Sequence, residues 1–263
     1  MGVDWHPTEP EPAMIKTETR ERVATIELAR IEKKNALTAA MYAAMTDALA
    51  AAESDPGVRA ILIHGARDCF TAGNDLKDFL EGPTGASQAL RFISALSKVA
   101  KPVVAGVGGP AVGIGTTLLL HCDLVYAAPT ARFQLPFVPL GLVPEGASSL
   151  LLPMTAGFQR AAELLLLGAP FTAEKALSAG IVTEIVPQEA LLERARTAAV
   201  ALAALPPESV RLTKQLMKRP LTGTIADQMA EEARLFAERL ESGEAKEALS
   251  AFLEKRKPDF SRF

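Results

Sequence analysis

From Pro102 to Cys122 the chain carries no charged side chain. A run this apolar must either cross a bilayer or thread a buried core. It holds Gly106, Gly108, Gly109, Gly113, Gly115 and Pro110, too many helix breakers for a membrane-spanning helix. The remaining solution is a core built from short strands and turns. Val103 to Val107 reads as a buried strand, a short helix starts near Gly113, and Asp123 to Ala127 returns as a strand.

The flanking segments extend this pattern. Met14 to Thr19 and Arg22 to Leu28 are short and β-branched and read as a hairpin. Thr38 stands as N-cap before the helical spacing of 38–53, which Asp55-Pro56-Gly57 stops. Arg59 to His64 is a strand and Gln88 to Val99 a helix. Strand–helix–strand order implies an α/β fold. Beyond Ser148 the chain favours helix over 148–156, 158–167, 172–179, 189–204, 208–218, 223–241 and 243–256. Val182 to Val186 is the only strand expected there. Three parts follow: an acidic, proline-rich flexible tail over 1–12, a core over 13–204, and a helical region over 205–263.

Composition limits the chemistry. The 263 residues are 49% apolar, enough for a sizeable core, and the net charge is −3. That balance argues against bulk nucleic-acid binding, so an anionic ligand must meet a local basic cluster. Cys69 and Cys122 form no C-x-x-C pair, and His6, His64 and His121 lack metal-ligand spacing. The 1–12 segment lacks the features of a secretory signal. The expectation is a reducing, cytoplasmic protein with no metal and no membrane span.

One acid is isolated. Glu145 is the sole charged residue between Gln134 and Gln159, in the segment Gly141-Leu142-Val143-Pro144-Glu145-Gly146-Ala147-Ser148-Ser149. Held among Phe133, Phe137, Leu140 and Leu142, its carboxyl would be desolvated and its pKa raised toward the range useful for moving protons at neutral pH. The same residues also suit an ordinary helix start on the surface.

Two glycine-bearing turns follow strands: Cys69-Phe70-Thr71-Ala72-Gly73-Asn74-Asp75-Leu76 and Gly108-Gly109-Pro110-Ala111-Val112-Gly113-Ile114-Gly115. Such turns can aim two backbone amides at one oxygen; they also serve tight strand-to-helix packing. The second turn matches G-x-G-x-x-A, but Pro110 falls where a dinucleotide-binding helix should run. Ile114 and Gly115 occupy the Lys and Ser/Thr places of a phosphate loop, which excludes that chemistry. There is no G-x-S-x-G nucleophile element.

Taken together, the chain resembles the crotonase family, the enoyl-CoA hydratase/isomerase group. The resemblance rests on Lys33-Lys34-Asn35-Ala36-Leu37, Phe70 to Leu76, Gly109 to Gly115, Cys122-Asp123-Leu124-Val125-Tyr126-Ala127, Phe133 to Phe137, Leu140 to Gly146, Gly180-Ile181-Val182 and Phe252 to Lys257. It spans about residues 13–260. It implies a spiral of β-β-α turns with a helical C-terminal region used in trimerisation. The partners implied are an acyl-CoA substrate and further copies of the chain, as a homotrimer or a dimer of trimers. No cofactor is implied, since coenzyme A is part of the substrate.

The resemblance also marks what is missing. Hydratases of the family carry two glutamates, and Thr117 and Phe137 stand in their places. The segment from Pro136-Phe137 to Ser149 is instead similar to Δ3,Δ2-enoyl-CoA isomerases of the peroxisomal type, where one glutamate at the position of Glu145 is the base. By the same resemblance the backbone amides of Asn74 and Ile114 form the oxyanion hole. Substrate contacts are then expected from Lys33, Ala36, Ala72, Gly73, Asp75, Leu76, Gly113, Pro136, Phe137, Leu140 and Lys257. The basic end Lys255-Arg256-Lys257 would serve a neighbouring subunit's ligand. His64, His121, Asp75 and Asp123 read as structural. Two alternatives remain: another reaction of the family, such as hydration, and a non-catalytic acyl-CoA-binding homologue.

Overall fold

The computed structural model describes residues 13–75 and 83–263; the 1–12 tail and Leu76 lie outside them. The expected hairpin forms from β1 (Ile15–Arg20) and β2 (Val23–Leu28), paired from Ile15↔Leu28 to Arg20↔Val23. Its turn residues Glu21 and Arg22 take φ of 52° and 64°, the left-handed pair that matches strand twist. Helix α1 (Ala39–Ser54) starts where the Thr38 hydroxyl accepts from the Met41 N–H, and it buries Met41, Tyr42, Met45 and Leu49.

β3 (Ala60–His64), α2 (Pro83–Lys98) and β4 (Val103–Val107) follow. With β6 (Leu124–Ala127) and β9 (Glu184–Ile185) they build one sheet in the order β1-β2-β3-β4-β6-β9, parallel from β2 onward. Every residue of β4 is buried, as a parallel strand covered on both faces requires. One face packs with α1 and α2 through Ile26, Leu28, Ile61, Ile63 and Phe92. The other packs through Leu62, Val104 and Tyr126 against Leu191, Ala195 and Ala199.

A second, three-stranded sheet was not expected. β5 (Pro110–Val112), β7 (Arg132–Gln134) and β8 (Phe171–Thr172) pair in the order β5-β7-β8. Pro110, which conflicted with a helix, opens a strand. Thr172 ends β8 and caps the next helix. Val182 to Val186 is therefore not the only strand after Ser148, and its strand shortens to Glu184–Ile185. Strands of two or three residues are too short to display an alternating pattern.

Between these strands stands α3 (Ile114–Thr117), the short helix expected near Gly113. The helical remainder comprises α4 (Ser148–Ala156), α5 (Phe158–Leu167), α6 (Ala173–Ser178), α7 (Leu191–Ala204), α8 (Pro207–Lys218), α9 (Thr222–Leu240) and α10 (Gly243–Leu253). α9 and α10 fold back on the core: Met229 and Ala245 are buried in it, and Phe236 and Leu240 pack against it. The apolar stripe of these helices is thus spent partly within the chain, Leu249 included, while Phe252 and Leu253 stay 59% and 65% exposed. Among the described residues no helix is long and apolar enough to cross a membrane.

Candidate active site

The two glycine turns lie side by side because Thr71 joins the edge of β5. Its N–H donates to the Pro110 carbonyl at 2.8 Å, and the Val112 N–H donates to the Thr71 carbonyl at 3.1 Å. Asn35, fully buried with φ of 51°, ties the Lys33–Leu37 segment to the first turn. Its Nδ2 donates to the Phe70 carbonyl at 2.9 Å and its carbonyl accepts from the Thr71 hydroxyl at 2.6 Å. Lys33 and Lys34 are exposed, while Ala36 is half-buried and offers its carbonyl to Arg30 Nη1 at 2.9 Å. Arg30 also pairs with Asp75 at 2.6 Å, so Asp75 orders its turn as expected.

Asn74 bridges Leu37 in parallel register. The Leu37 N–H donates to Gly73 and the Asp75 N–H donates to Leu37, at 2.8 and 2.9 Å. In such a ladder the N–H of the intervening residue points away, which leaves the Asn74 amide facing off the strand. Its side-chain Oδ1 accepts from the Tyr42 hydroxyl at 2.5 Å, fixing the turn from behind.

In the second turn Gly113 takes φ 56°, ψ −118°, a conformation open to glycine, and Ile114 opens α3. The Thr116 and Thr117 N–H groups return to the Gly113 carbonyl at 2.8 and 3.0 Å. Ile114, as first helical residue, has no acceptor within its helix for its own N–H.

Glu145, Asn74 and Ile114 line one cavity of ≈ 70 Å³. Among the described residues Ala89 and Leu90 of α2 and Ala233, Phe236, Ala237 and Leu240 of α9 also line it. Among the described residues Glu145 is the only acid on that wall. Larger grooves exist elsewhere, such as one of ≈ 470 Å³ lined by Lys16, Glu18, Glu27, Arg67, Glu193 and Arg196. Its open, mixed-charge walls offer no isolated carboxyl.

The Glu145 carboxylate accepts a hydrogen bond from the Thr117 hydroxyl. Burial pushes its pKa up to about 7; the Thr117 bond opposes this rise and the negative charge of Glu232 adds to it. Gly146 and Ala147 follow in left-handed conformation, φ 69° and 58°. His121, buried to 2% exposure, meets the Gly146 carbonyl through Nε2 at 2.7 Å. Burial drives its pKa down to about 4, so the ring is neutral at pH 7 and Nε2–H is the donor.

Glu232 of α9 had no role in the sequence. It is 4% exposed and accepts from the Ala147 and Ser149 N–H groups at 2.6 and 3.1 Å, and from the Ser149 hydroxyl. The neighbouring Glu231 pairs with Arg234 at the surface. No spacing distinguishes the two glutamates in advance.

The other expected contacts scatter. Gly73 and Gly113 shape the turns and Ala72 lies beside Gly73, without forming cavity wall. Pro136, Phe137 and Leu140 also lie off the wall; Phe137 is 5% exposed and Leu140 packs against the core. Lys257 is exposed beyond α10, and Arg256 is engaged by Glu247 and Glu254 at 2.5 and 2.6 Å. Asp123 is structural: it accepts from the Val103 N–H and from Lys214 Nζ.

The sequence profile described as enoyl-CoA hydratase/isomerase matches residues 18–262. The chain is 36% identical to the 1,2-epoxyphenylacetyl-CoA isomerase of Escherichia coli, over 94% of this chain and 98% of that protein. It is 34% identical to a probable enoyl-CoA hydratase of Mycobacterium leprae, covering 92% and 95%. It is also 34% identical to human enoyl-CoA delta isomerase 2, over 97% of this chain and 66% of the human protein. A crystal structure of an enoyl-CoA hydratase/isomerase from Pseudoalteromonas atlantica superposes with a TM-score of 0.90 at 43% identity, covering 95% of this chain and 100% of the other. Profile, relatives and superposition lead to one conclusion: the chain belongs to the enoyl-CoA hydratase/isomerase family.

Proposed function

We propose that this chain moves the C3 double bond of an enoyl-CoA thioester to C2, with Glu145 as the single proton carrier. The observation that carries this reading is Glu145 itself, a Thr117-bonded carboxyl with pKa near 7, sharing a small apolar cavity with two amide-bearing turns. The Glu145 carboxylate removes a proton from C2 of the 3-enoyl thioester. The electron pair spreads over a dienolate whose thioester oxygen becomes negative. The Asn74 and Ile114 amides stabilise that oxygen; one such donor typically contributes about 2.7–4 kcal/mol. The protonated Glu145 then delivers the same proton to C4, the double bond settles at C2, and the carboxylate is regenerated. Nothing is added or consumed, so the step needs no cofactor.

Hydration is the second reading, favoured by the relatives that bear that name. It requires water to be activated at one carbon while its neighbour is protonated, a task for two carboxyl groups. Thr117 and Phe137 supply none, and Thr117 is committed to Glu145. Purified protein offered 3-hexenoyl-CoA and crotonyl-CoA, followed by ultraviolet absorbance, decides between them. Hydration is expected to run at least about 100-fold slower than isomerisation. Comparable rates would sink the single-carboxylate mechanism.

The proposed assembly is a trimer or a dimer of trimers. The reading rests on the family resemblance, and Phe158, Leu216, Met217, Phe252 and Leu253, 59–72% exposed, are apolar residues that such an interface could cover. Sedimentation velocity is expected to show no stable monomer. In that assembly Lys255 and Lys257 would stand near a neighbour's acyl-CoA. Replacing both by Gln should then raise KM several-fold at low salt and leave kcat nearly unchanged. A monomer, or a KM indifferent to the exchange, would overturn the respective half of this proposal.

A further inference from the structure

We propose that Glu232 is a positioning residue that makes placement of Glu145 depend on docking of helix α9. This rests on the reading of Glu145 as the proton carrier, which it deepens.

The geometry is a clamp. One carboxylate oxygen of Glu232 takes the Ala147 N–H at 2.6 Å; the other takes the Ser149 N–H at 3.1 Å and the Ser149 hydroxyl. Gln228, one turn earlier on α9, donates to the Ser149 hydroxyl oxygen at 2.8 Å, which turns the hydroxyl proton toward Glu232. The clamp begins two residues beyond Glu145. Gly146 lies between them, and both it and Ala147 are left-handed. An alanine keeps such a conformation only where its surroundings hold it there. Glu232 supplies that hold, on an N–H that no turn of α4 satisfies. From the opposite side His121 holds the Gly146 carbonyl and Thr117 holds the Glu145 carboxylate.

The same helix walls the cavity. Ala233, Phe236, Ala237 and Leu240 present α9 to the site, and Glu232 stands beside the first of them. When α9 is docked, the cavity has this wall and the turn has its clamp together. When it is not, the wall and the hold on Ala147 are lost together. Among the described residues the charged and titratable groups acting on the turn are Glu145, Glu232 and the neutral His121, with Lys214 and Lys218 acting on His121. Glu232 is not among the residues that line the cavity, so its proposed role is exerted through Glu145.

The test is Glu232→Gln. Glutamine keeps the shape but presents an amide N–H₂ to one of the two backbone N–H groups, so half of the clamp fails. The expected kcat is lower by about 100-fold, the loss that small misplacement of a reacting group produces, with KM changed far less. The pH midpoint of kcat/KM should also move to lower pH, because the negative charge that helps raise the Glu145 pKa is gone. Ser149→Ala removes one leg and should act in the same direction more weakly, which keeps the test open if Glu232→Gln does not fold. Titration of carbon-13-labelled glutamate by NMR, with Glu145→Gln to assign the signal, follows Glu145 without reference to turnover. A lower Glu145 midpoint by itself reports the lost charge; joined to a fall in kcat of the folded protein it supports the clamp, whatever the reaction proves to be, and with kcat unchanged it overturns the clamp. Unchanged midpoint and unchanged kcat in a folded Glu232→Gln overturn it. A kcat loss matched by lost folded protein, with the midpoint of the folded fraction unmoved, also overturns it and leaves Glu232 as a helix cap.

Discussion

Replacing Glu145 by Gln is expected to lower isomerase turnover by about 10³- to 10⁴-fold, at the upper end of what a positioned acid–base group supplies. Coenzyme A binding and the fold should survive, because glutamine fills the same space and can still accept from Thr117. In the unmodified enzyme kcat/KM should rise with pH through about 7, since Glu145 must start as the anion. The same substitution should stabilise the protein. The ordinary carboxyl value of 4.5 climbs to about 7 on folding, so the folded state binds this proton more tightly than the unfolded state. Stability from this group therefore falls as pH rises from 4.5 to about 7 and stays low above. Glutamine carries no such penalty. At pH 8 the variant is expected to be more stable by up to about 3 kcal/mol, measured by urea unfolding. Near-normal turnover, with contaminating enzyme removed, would end the assignment of Glu145 as base.

Gly113→Ala is expected to lower kcat by about 10²- to 10³-fold through one displaced oxyanion donor. Among the described residues a Cβ at this position meets nothing within 4 Å, so crowding by them is not the cause. The cause is the backbone itself: φ 56°, ψ −118° suits glycine and strains alanine. Relaxing that strain re-aims the start of α3 and with it the Ile114 N–H. At Gly73 the situation differs, because a Cβ would lie 2.7 Å from the Val112 carbonyl oxygen and would push the two turns apart. Gly157→Ala is the control. Gly157 has φ 80°, open space around its Cβ, and no place on the cavity wall. It should lose stability and keep kcat. Equal kcat in Gly113→Ala and the unmodified protein would remove Ile114 from the mechanism.

How far the sequence displayed this depends on the range of each interaction. Helix α1 was legible because Thr38 and the apolar spacing behind it are local. Strands β3 and β4 were legible because continuous burial needs a continuous apolar run. Glu145 stood out because no charge surrounds it in sequence, and burial then raised its pKa as that isolation implied. The β5-β7-β8 sheet was hidden, since its strands are two or three residues long and are defined by their partners. Thr117 was noticed only as a missing carboxyl, yet its hydroxyl meets Glu145. Phe236 and Leu240, read in the sequence only as part of an apolar stripe for assembly, line the cavity; the expected substrate contacts Phe137 and Leu140 lie elsewhere. Residues of a helix that is mostly charged on its outside reveal their inner partners only once the helix is docked. Glu232 is the clearest instance, indistinguishable in sequence from its surface neighbour Glu231.

The clamp on the base has a consequence for how an active molecule comes into being. Ala147 and Glu232 are 85 positions apart. During synthesis the base, both glycine turns and the entire parallel sheet leave the ribosome before α9 does. A nascent chain can therefore possess every reacting group and still lack the wall and the hold that arrange them. On the proposed clamp, competence arrives with nearly the last helix made: partly synthesised chains are expected to be catalytically silent, and so is a finished chain from which the part beginning with α9 has been cut away.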